Sequence, residues 1–356
     1  MTPTPSPQWA IEQDFSRIGE QAKLSFDRLK GGHIFLTGGT GFIGAWILEA
    51  IRFVNEGQDS NIQVTILTRN PKNFHSRYPH LFEHSNFHYL AGDVVKLPYE
   101  NLAGVGKFTH LIHAATDASA ELNEVNPLQM FDTVVLGTRQ ILDFAVKEKI
   151  SKVLYLSSGA VYGQQAPGVD FVAEDSMSAP DCLNPKNTYA EGKRASEMLC
   201  AIYGKQFGCH IVVARIFALL GPLLNLDIHF AAGNFIRDAI AGKKISVSGD
   251  GRPERSYLYP SDLVVWLLAM LTHGKSGAAY NAGSEEGISI ADLAKLTSSL
   301  IGNRGYEILG LTDSGWNPGR YVPSSQLIQN QLGVKQTVSL AEAIKRTAYW
   351  NGWREV

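Results

Sequence analysis

Thr37-Gly38-Gly39-Thr40-Gly41-Phe42-Ile43-Gly44 stands between a short apolar run, His33–Thr37, and a longer segment, Phe42–Asn55, with helical spacing of apolar residues. Its glycines read GxxGxxG. Glycine permits a sharp turn out of a strand and lets a pyrophosphate approach the main chain, while the following helix offers amide donors and the positive end of its dipole. A strand, a glycine turn and a helix in that order predict a dinucleotide-binding βαβ unit, with Gly38, Gly41, Phe42, Ile43 and Gly44 against the phosphates.

Outward from that turn the pattern repeats. Gln63–Leu67, Phe87–Leu90, Thr109–His113, Lys152–Ser157 and His210–Arg215 are further candidate strands; Pro127–Lys149 and Tyr189–Phe207 are candidate helices. The strands are rich in Val, Ile and Leu without clean alternation, as expected of a parallel sheet buried on both faces. The fold class expected is α/β, a doubly wound parallel sheet (Rossmann) with a smaller C-terminal substrate-binding cap, and ligands at the carboxyl ends of the strands.

Residues 31–220 with 262–280 are assigned to the dinucleotide-binding domain. Residues 221–261 with 281–350, rich in Gly, Pro, Asn and Asp clusters, are assigned to the cap. Residues 1–30 are read as a disordered tail followed by an amphipathic helix, because Ile11, Phe15, Ile18, Ala22, Phe26 and Leu29 recur every three or four positions.

The chain has 356 residues, 44% hydrophobic, with a formal net charge of −2, which gives no electrostatic reason to expect nucleic acid or an anionic membrane as partner. Its three cysteines, Cys182, Cys200 and Cys209, form no CxxC pair, so neither a disulfide framework nor a zinc site is expected, and a reducing, cytoplasmic compartment fits. The proline-rich start lacks the basic and apolar regions of a signal peptide, and the strongest apolar run, Leu263–Leu271, is far short of the roughly 20 residues that span a bilayer. No metal site is expected.

The second strand ends Ile66-Leu67-Thr68-Arg69-Asn70. A carboxylate at such a position binds the ribose 2′-hydroxyl of NAD, and a cation there accepts the 2′-phosphate of NADP. Thr68 cannot act as the carboxylate, so Arg69 favours NADP(H) over NAD(H). Asp93, in Leu90-Ala91-Gly92-Asp93-Val94, is a candidate acceptor for the adenine amino group or, as readily, a local cap.

Tyr189-Ala190-Glu191-Gly192-Lys193 is a YxxxK pair at the start of a helix, where residues four apart share a face. A tyrosine with a free pKa of about 10 needs roughly three units of depression to act as a base near neutrality, and an adjacent ammonium has the right sign. Ser158, ending a core strand, offers a hydroxyl that orients a substrate oxygen.

Glycine triplet, strand-end serine and YxxxK in this order resemble the extended short-chain dehydrogenase/reductases, the NAD-dependent epimerase/dehydratase family, over about residues 33–350. The resemblance places His113-Ala114-Ala115-Thr116 beside the cofactor, with Ala114, Ala115 and Val94 among its contacts. Asn184-Pro185, Tyr189 to Arg194, Ala214-Arg215-Ile216-Phe217, Gly221-Pro222, Gly233-Asn234-Phe235-Ile236 and Arg255-Ser256-Tyr257 look like UDP-glucuronate decarboxylases. That likeness implies a nucleotide-diphospho-sugar substrate, with Asn234 and Phe235 on the nucleotide and Arg255 and Arg320 as diphosphate candidates. It also implies a homodimer built on the two long helices.

Departures from the pattern bear on the reaction. Where the decarboxylases and 4,6-dehydratases carry a Glu, and the dehydratases an Asp before it, this chain has Ala160 and Gly159; a family Asn in the long helix is Val134, and another is Ala218. The expected activity is therefore hydride exchange at sugar C4. An NADPH-dependent 4-keto-sugar-nucleotide reductase comes first, an NAD-dependent 4-epimerase is the alternative, and dehydratase, decarboxylase or a non-catalytic cofactor sensor stand further off.

Overall fold

The computed structural model describes residues 9–58, 60–102, 105–116, 120–227, 231–302, 304–311 and 318–355; the expected N-terminal tail lies outside them. The chain begins with helices α1 (Glu12–Gln21) and α2 (Lys23–Leu29), followed by β1 (His33–Thr37), α3 (Phe42–Gln58) and β2 (Gln63–Thr68). Short helices α4 (Pro71–Arg77) and α5 (Pro79–Phe82) lead to β3 (Phe87–Ala91) and β4 (His110–His113). Then come α6 (Ala120–Val125), α7 (Pro127–Lys147), β5 (Lys152–Ser158), α8 (Thr188–Phe207) and β6 (Ile211–Ile216). The remainder comprises α9 (Ala231–Ile240), β7 (Ile245–Val247), β8 (Glu254–Arg255), α10 (Pro260–His273), β9 (Ala279–Ala282) and β10 (Ile288–Ser289). It ends with α11 (Ile290–Leu300), β11 (Tyr306–Ile308), β12 (Arg320–Tyr321), α12 (Gln326–Leu332) and α13 (Leu340–Trp350).

Seven strands form one sheet in the order β3-β2-β1-β4-β5-β6-β9, every neighbouring pair parallel. This is the doubly wound α/β arrangement, and the order reverses between β1 and β4, where such sheets open a crevice at their carboxyl ends. All five residues of β1 are buried, which explains its apolar run without alternation. Two smaller sheets, β10-β8-β12 and β11-β7, come from the C-terminal third.

Local chemistry sets the helix boundaries. Asn126 caps α7 by accepting from Gln129 N, with Pro127 at the first helical position. Gly208, at φ 69°, ends α8 in the left-handed conformation that favours glycine. The N-terminal stripe is two helices rather than one. The break falls at Ala22 (φ −96°, ψ 15°), and Phe15, Ile18, Ala22, Phe26 and Leu29 are all buried. Bending there lets α1 pack on both α3 and α10 while α2 continues along α10. Among the described residues no helix is long and apolar enough to cross a membrane.

Candidate active site

The glycine turn is constrained by its neighbours at two positions and open at the third. Gly38 has φ +72°, and a Cβ there would lie 2.6 Å from the carbonyl of Ala114 and from Ala115 N. A Cβ on Gly44 would lie 2.4 Å from Gly38 O. Both glycines let β1, β4 and α3 meet. Gly41 differs, since its Cβ would meet nothing closer than Gly38 O at 3.4 Å. The first amide bonded within α3 is that of Ala45, to Gly41 O at 2.8 Å, so by helix geometry the amides of Phe42, Ile43 and Gly44 have no acceptor in the helix. A cleft of about 770 Å³ opens on Thr40, Gly41 and Phe42 and is bounded across by Arg77, Arg237 and Trp350.

β4 is tied to the turn by a buried chain of hydrogen bonds. Ala115 N donates to Thr37 Oγ1 at 3.1 Å, Thr37 Oγ1 meets His113 Nδ1 at 2.7 Å, His113 Nε2 meets Thr138 Oγ1 at 3.2 Å, and Thr138 Oγ1 donates to Val134 O at 2.6 Å. Burial depresses the His113 pKa to about 3, so the ring is neutral. With the Thr138 proton directed to Val134 O, Nε2–H donates to Thr138 and Nδ1 accepts from Thr37. The next residue, Thr116, has a buried hydroxyl oxygen with no protein partner. An open glycine, unsatisfied helix amides and an orphaned hydroxyl along one sheet edge fit a bound dinucleotide.

At the end of β2, Thr68 is buried, with Oγ1 3.2 Å from Thr40 Oγ1, and Arg69 is exposed. Asn70 caps α4 through Asn73 N, so no carboxylate faces this edge from Thr68, Arg69 or Asn70. Asp93 sits in a turn beyond β3 and accepts from Val95 N at 3.1 Å. Val94 is buried beneath Gly137 of α7, and its side chain belongs to the core.

The expected catalytic residues converge. Tyr189 is in the first turn of α8, which Asn123 of α6 anchors: its Oδ1 accepts from Tyr189 N at 3.0 Å and its Nδ2 donates to Lys186 O at 2.9 Å. Lys193, one turn on, is buried and donates from Nζ to Leu156 O at 2.7 Å, with Nζ 5.8 Å from the centre of the Tyr189 ring. Ser158, ending β5, accepts from Ala160 N at 3.2 Å and lies close enough to the Tyr189 phenol to influence its ionisation.

Burial acts on both members of the pair. Burial raises the Tyr189 pKa, and the nearby Ser158 hydroxyl is the influence that lowers it. Lys193 does not act as a full positive charge, because burial pulls its own pKa down to about 7 against the opposing pull of Glu197. Desolvation outweighs the ammonium's attraction while both groups lie in the same dry pocket.

Gly159, Ala160 and Val134 are three of the four positions that depart from the family pattern. A Cβ on Gly159 would lie 2.6 Å from both Phe217 Cζ and the Tyr321 hydroxyl, so two aromatic rings cover that position. Ala160 follows with a methyl group. Val134 is buried; its carbonyl accepts from Thr138 and from Ser196 Oγ at 3.1 Å, and its side chain faces Gly192.

Substrate-side expectations divide. In the parallel pair β12–β8, Arg320 is opposite Glu254 and Tyr321 opposite Arg255. Successive strand residues face opposite ways, so Arg255 shares a face with Tyr321, whose hydroxyl lies over Gly159. Arg320 faces away, paired with Glu254 and donating to Asp170 O at 2.8 Å. On α9, Asn234 Oδ1 accepts from Arg237 at 3.2 Å, and Phe235 is turned into the main core. Sequence reading missed Asn123, Tyr321 and Phe217; each reaches the site from a distant segment, and no local spacing marks them.

A profile of the NAD dependent epimerase/dehydratase family matches residues 34–283. UDP-glucuronic acid decarboxylase 1 of Xenopus tropicalis is 30% identical over 317 residues, 89% of this chain and 71% of that protein. UDP-glucuronic acid decarboxylase 3 of Arabidopsis thaliana is 28% identical over 311 residues, 87% of this chain and 86% of that one. The fold is shared with UDP-glucose 4-epimerase of Thermotoga maritima (TM-score 0.76, 21% identity, 90% of this chain and 98% of that one). It is shared too with dTDP-glucose 4,6-dehydratase of Bacillus anthracis (TM-score 0.75, 20% identity, 90% and 96%). With the glycine turn, the strand-end serine and the YxxxK pair in place on this fold, the chain belongs to the NAD dependent epimerase/dehydratase family.

Proposed function

We propose that this protein reduces a 4-keto nucleotide-diphosphate sugar at C4, with NADPH as the reductant. The observation that carries the reading is the contrast between two neighbouring groups of positions. Ser158, Tyr189 and Lys193 are assembled for proton transfer at a carbinol or carbonyl oxygen, whereas Gly159 and Ala160 hold no acid or base, and Phe217 and Tyr321 cover the first of them. Elimination needs a base to take the C5 proton, and decarboxylation needs an acid to protonate C5 after carbon dioxide leaves; neither Gly159 nor Ala160 can serve as either.

Bound NADPH would supply the hydride. Tyr189 donates the proton to the sugar O4, Ser158 holds that oxygen, and Lys193 braces the helix turn through Leu156 O. Arg69, exposed beyond a strand end without a carboxylate, favours the 2′-phosphate. Arg255 lies on the face toward Ser158 and serves the substrate diphosphate. The segments carrying β7, β8, β10, β11 and β12, with α9, form the substrate cap. Leu128 on α7 and Met198 and Ile202 on α8 are exposed and suit a homodimer joined through these helices.

The test is incubation with NADPH and the 4-keto forms of UDP-, dTDP-, GDP- and CDP-sugars, following NADPH absorbance and products. Net NADPH oxidation with a 4-hydroxy product supports the reading. Product formed without net cofactor change establishes an epimerase, and loss of carbon dioxide or water from a 4-hydroxy sugar establishes the decarboxylase or dehydratase; either result overturns it.

A further inference from the structure

The cleft at the glycine turn is lined by two arginines in different states. Arg237 is paired, with Nη1 3.3 Å from Asp227 Oδ1 and Nη2 3.0 Å from Asp238 Oδ1. Arg77, on the wall supplied by α4, has no carboxylate partner among the described residues. Its guanidinium lies over the Tyr78 ring, Cζ 5.3 Å from the centre. That ring meets the buried Phe74 with centroids 5.1 Å apart and packs against the main core, so the platform beneath Arg77 is fixed. A guanidinium resting on an aromatic ring is weakly hydrated and keeps its donors for a partner.

The facing wall indicates what that partner is. Thr40, Gly41 and Phe42 line the same cleft, Gly41 is open, and the amides of Phe42, Ile43 and Gly44 have no acceptor within α3. An anion seated there meets helix amides and the positive end of the dipole on one side, and the Arg77 cation on the other. Two linked anionic groups match two such walls, and the pyrophosphate of a dinucleotide supplies them. Arg69 precedes α4 and Arg77 ends it, a separation of about 10 Å along a helix of seven residues. The two arginines therefore stand over different parts of the cofactor.

We propose that Arg77 is a cofactor-binding residue that pairs with the pyrophosphate across the cleft from the α3 amides, leaving the ribose 2′-phosphate to Arg69. The inference rests on the glycine turn as the cofactor site and not on which reaction follows. Arg77 serves NAD+ and NADP+ equally and sets affinity, whereas Arg69 sets the choice between them.

The experiment is calorimetric titration of the full-length protein with NAD+, NADP+ and ADP. Arg77→Gln weakens all three by the same factor, about tenfold. Arg77→Lys, which keeps the charge but not the planar fork, loses less. Unchanged affinities, a loss confined to NADP+, or a loss that spares ADP overturns the proposal. A second measurement needs no variant. Phenylglyoxal modifies arginine, and peptide mass spectrometry should find Arg77 labelled several-fold less with ADP present than with adenosine at the same concentration; equal labelling is again fatal. Binding is the readout, so the result stands apart from whether a 4-keto sugar is reduced. A wild type that binds none of the three ligands overturns the cofactor site itself, and this assignment with it.

Discussion

Arg215 grips Glu197 through two nitrogens, Nη2 to Oε2 at 2.7 Å and Nε to Oε1 at 3.1 Å, directly behind the catalytic strand. Glu197 also accepts from Ser157 Oγ at 2.6 Å, and Arg215 donates to the Tyr162 hydroxyl at 2.7 Å and to Glu174 O at 3.0 Å. Tyr162 donates onward to Asn281 Oδ1 at 2.8 Å. Glu197→Ala strands a largely buried guanidinium, so unfolding in urea should show a loss of about 3 kcal/mol. A loss below about 1 kcal/mol would mean that water already satisfies Arg215.

Lys193 imposes a pH dependence on stability. Its folded pKa is lowered from 10.5 to about 7, so between those values the unfolded chain holds the extra proton and stability rises with pH. The burial penalty is present in full below pH 7 and is relieved toward pH 10.5. Lys193→Met removes that slope. Relative to wild type, the variant's thermal midpoint should fall as pH rises through this window, by several degrees in all; a constant difference would show that Lys193 titrates normally.

Gly38 and Gly41 separate packing from binding. Gly38→Ala forces a positive φ and a clash with the Ala114 carbonyl, a destabilisation of about 2–4 kcal/mol. Gly41→Ala changes stability by less than about 0.5 kcal/mol but places a methyl on the open surface of the turn. Calorimetric titration with NADP+ should show affinity reduced tenfold or more. Unchanged affinity in a folded Gly41→Ala protein would move the pyrophosphate elsewhere.

Tyr189→Phe should lower turnover by orders of magnitude with cofactor affinity largely intact, because only the proton-carrying hydroxyl is removed. Arg69→Ala should weaken NADPH binding about tenfold or more and NADH binding little. Equal losses for the two cofactors would remove Arg69 from the 2′-phosphate.

The exposed apolar residues on α7 and α8 predict association. Light scattering should give a dimer mass at micromolar concentration, and charge introduced as Leu128→Asp with Met198→Asp should give the monomer. A monomeric wild type would reject the interface.

Much of the fold and of the cofactor edge was legible in local sequence. Six of the seven sheet strands could be placed within a residue or two, because a buried parallel strand needs a short apolar run wherever it lies. Gly38 and Gly44 are required by the turn itself, and Tyr189 with Lys193 by the pitch of one helix. Asn123, Phe217 and Tyr321 left no such trace of their place at the site, since each reaches Tyr189 or Gly159 from another segment.

The sequence by itself determined the parallel sheet, the glycine turn and the four-residue step from Tyr189 to Lys193, all consequences of hydrogen-bond geometry between near neighbours in the chain. Only the tertiary structure decided the state of those groups. Burial pulls the Lys193 pKa to about 7 and raises that of Tyr189, Gly159 leaves room for Phe217 and Tyr321, and Arg320 is turned away while Arg255 is not. Desolvation and facing depend on which distant segments exclude water from a site, and residue spacing along one segment carries no record of that.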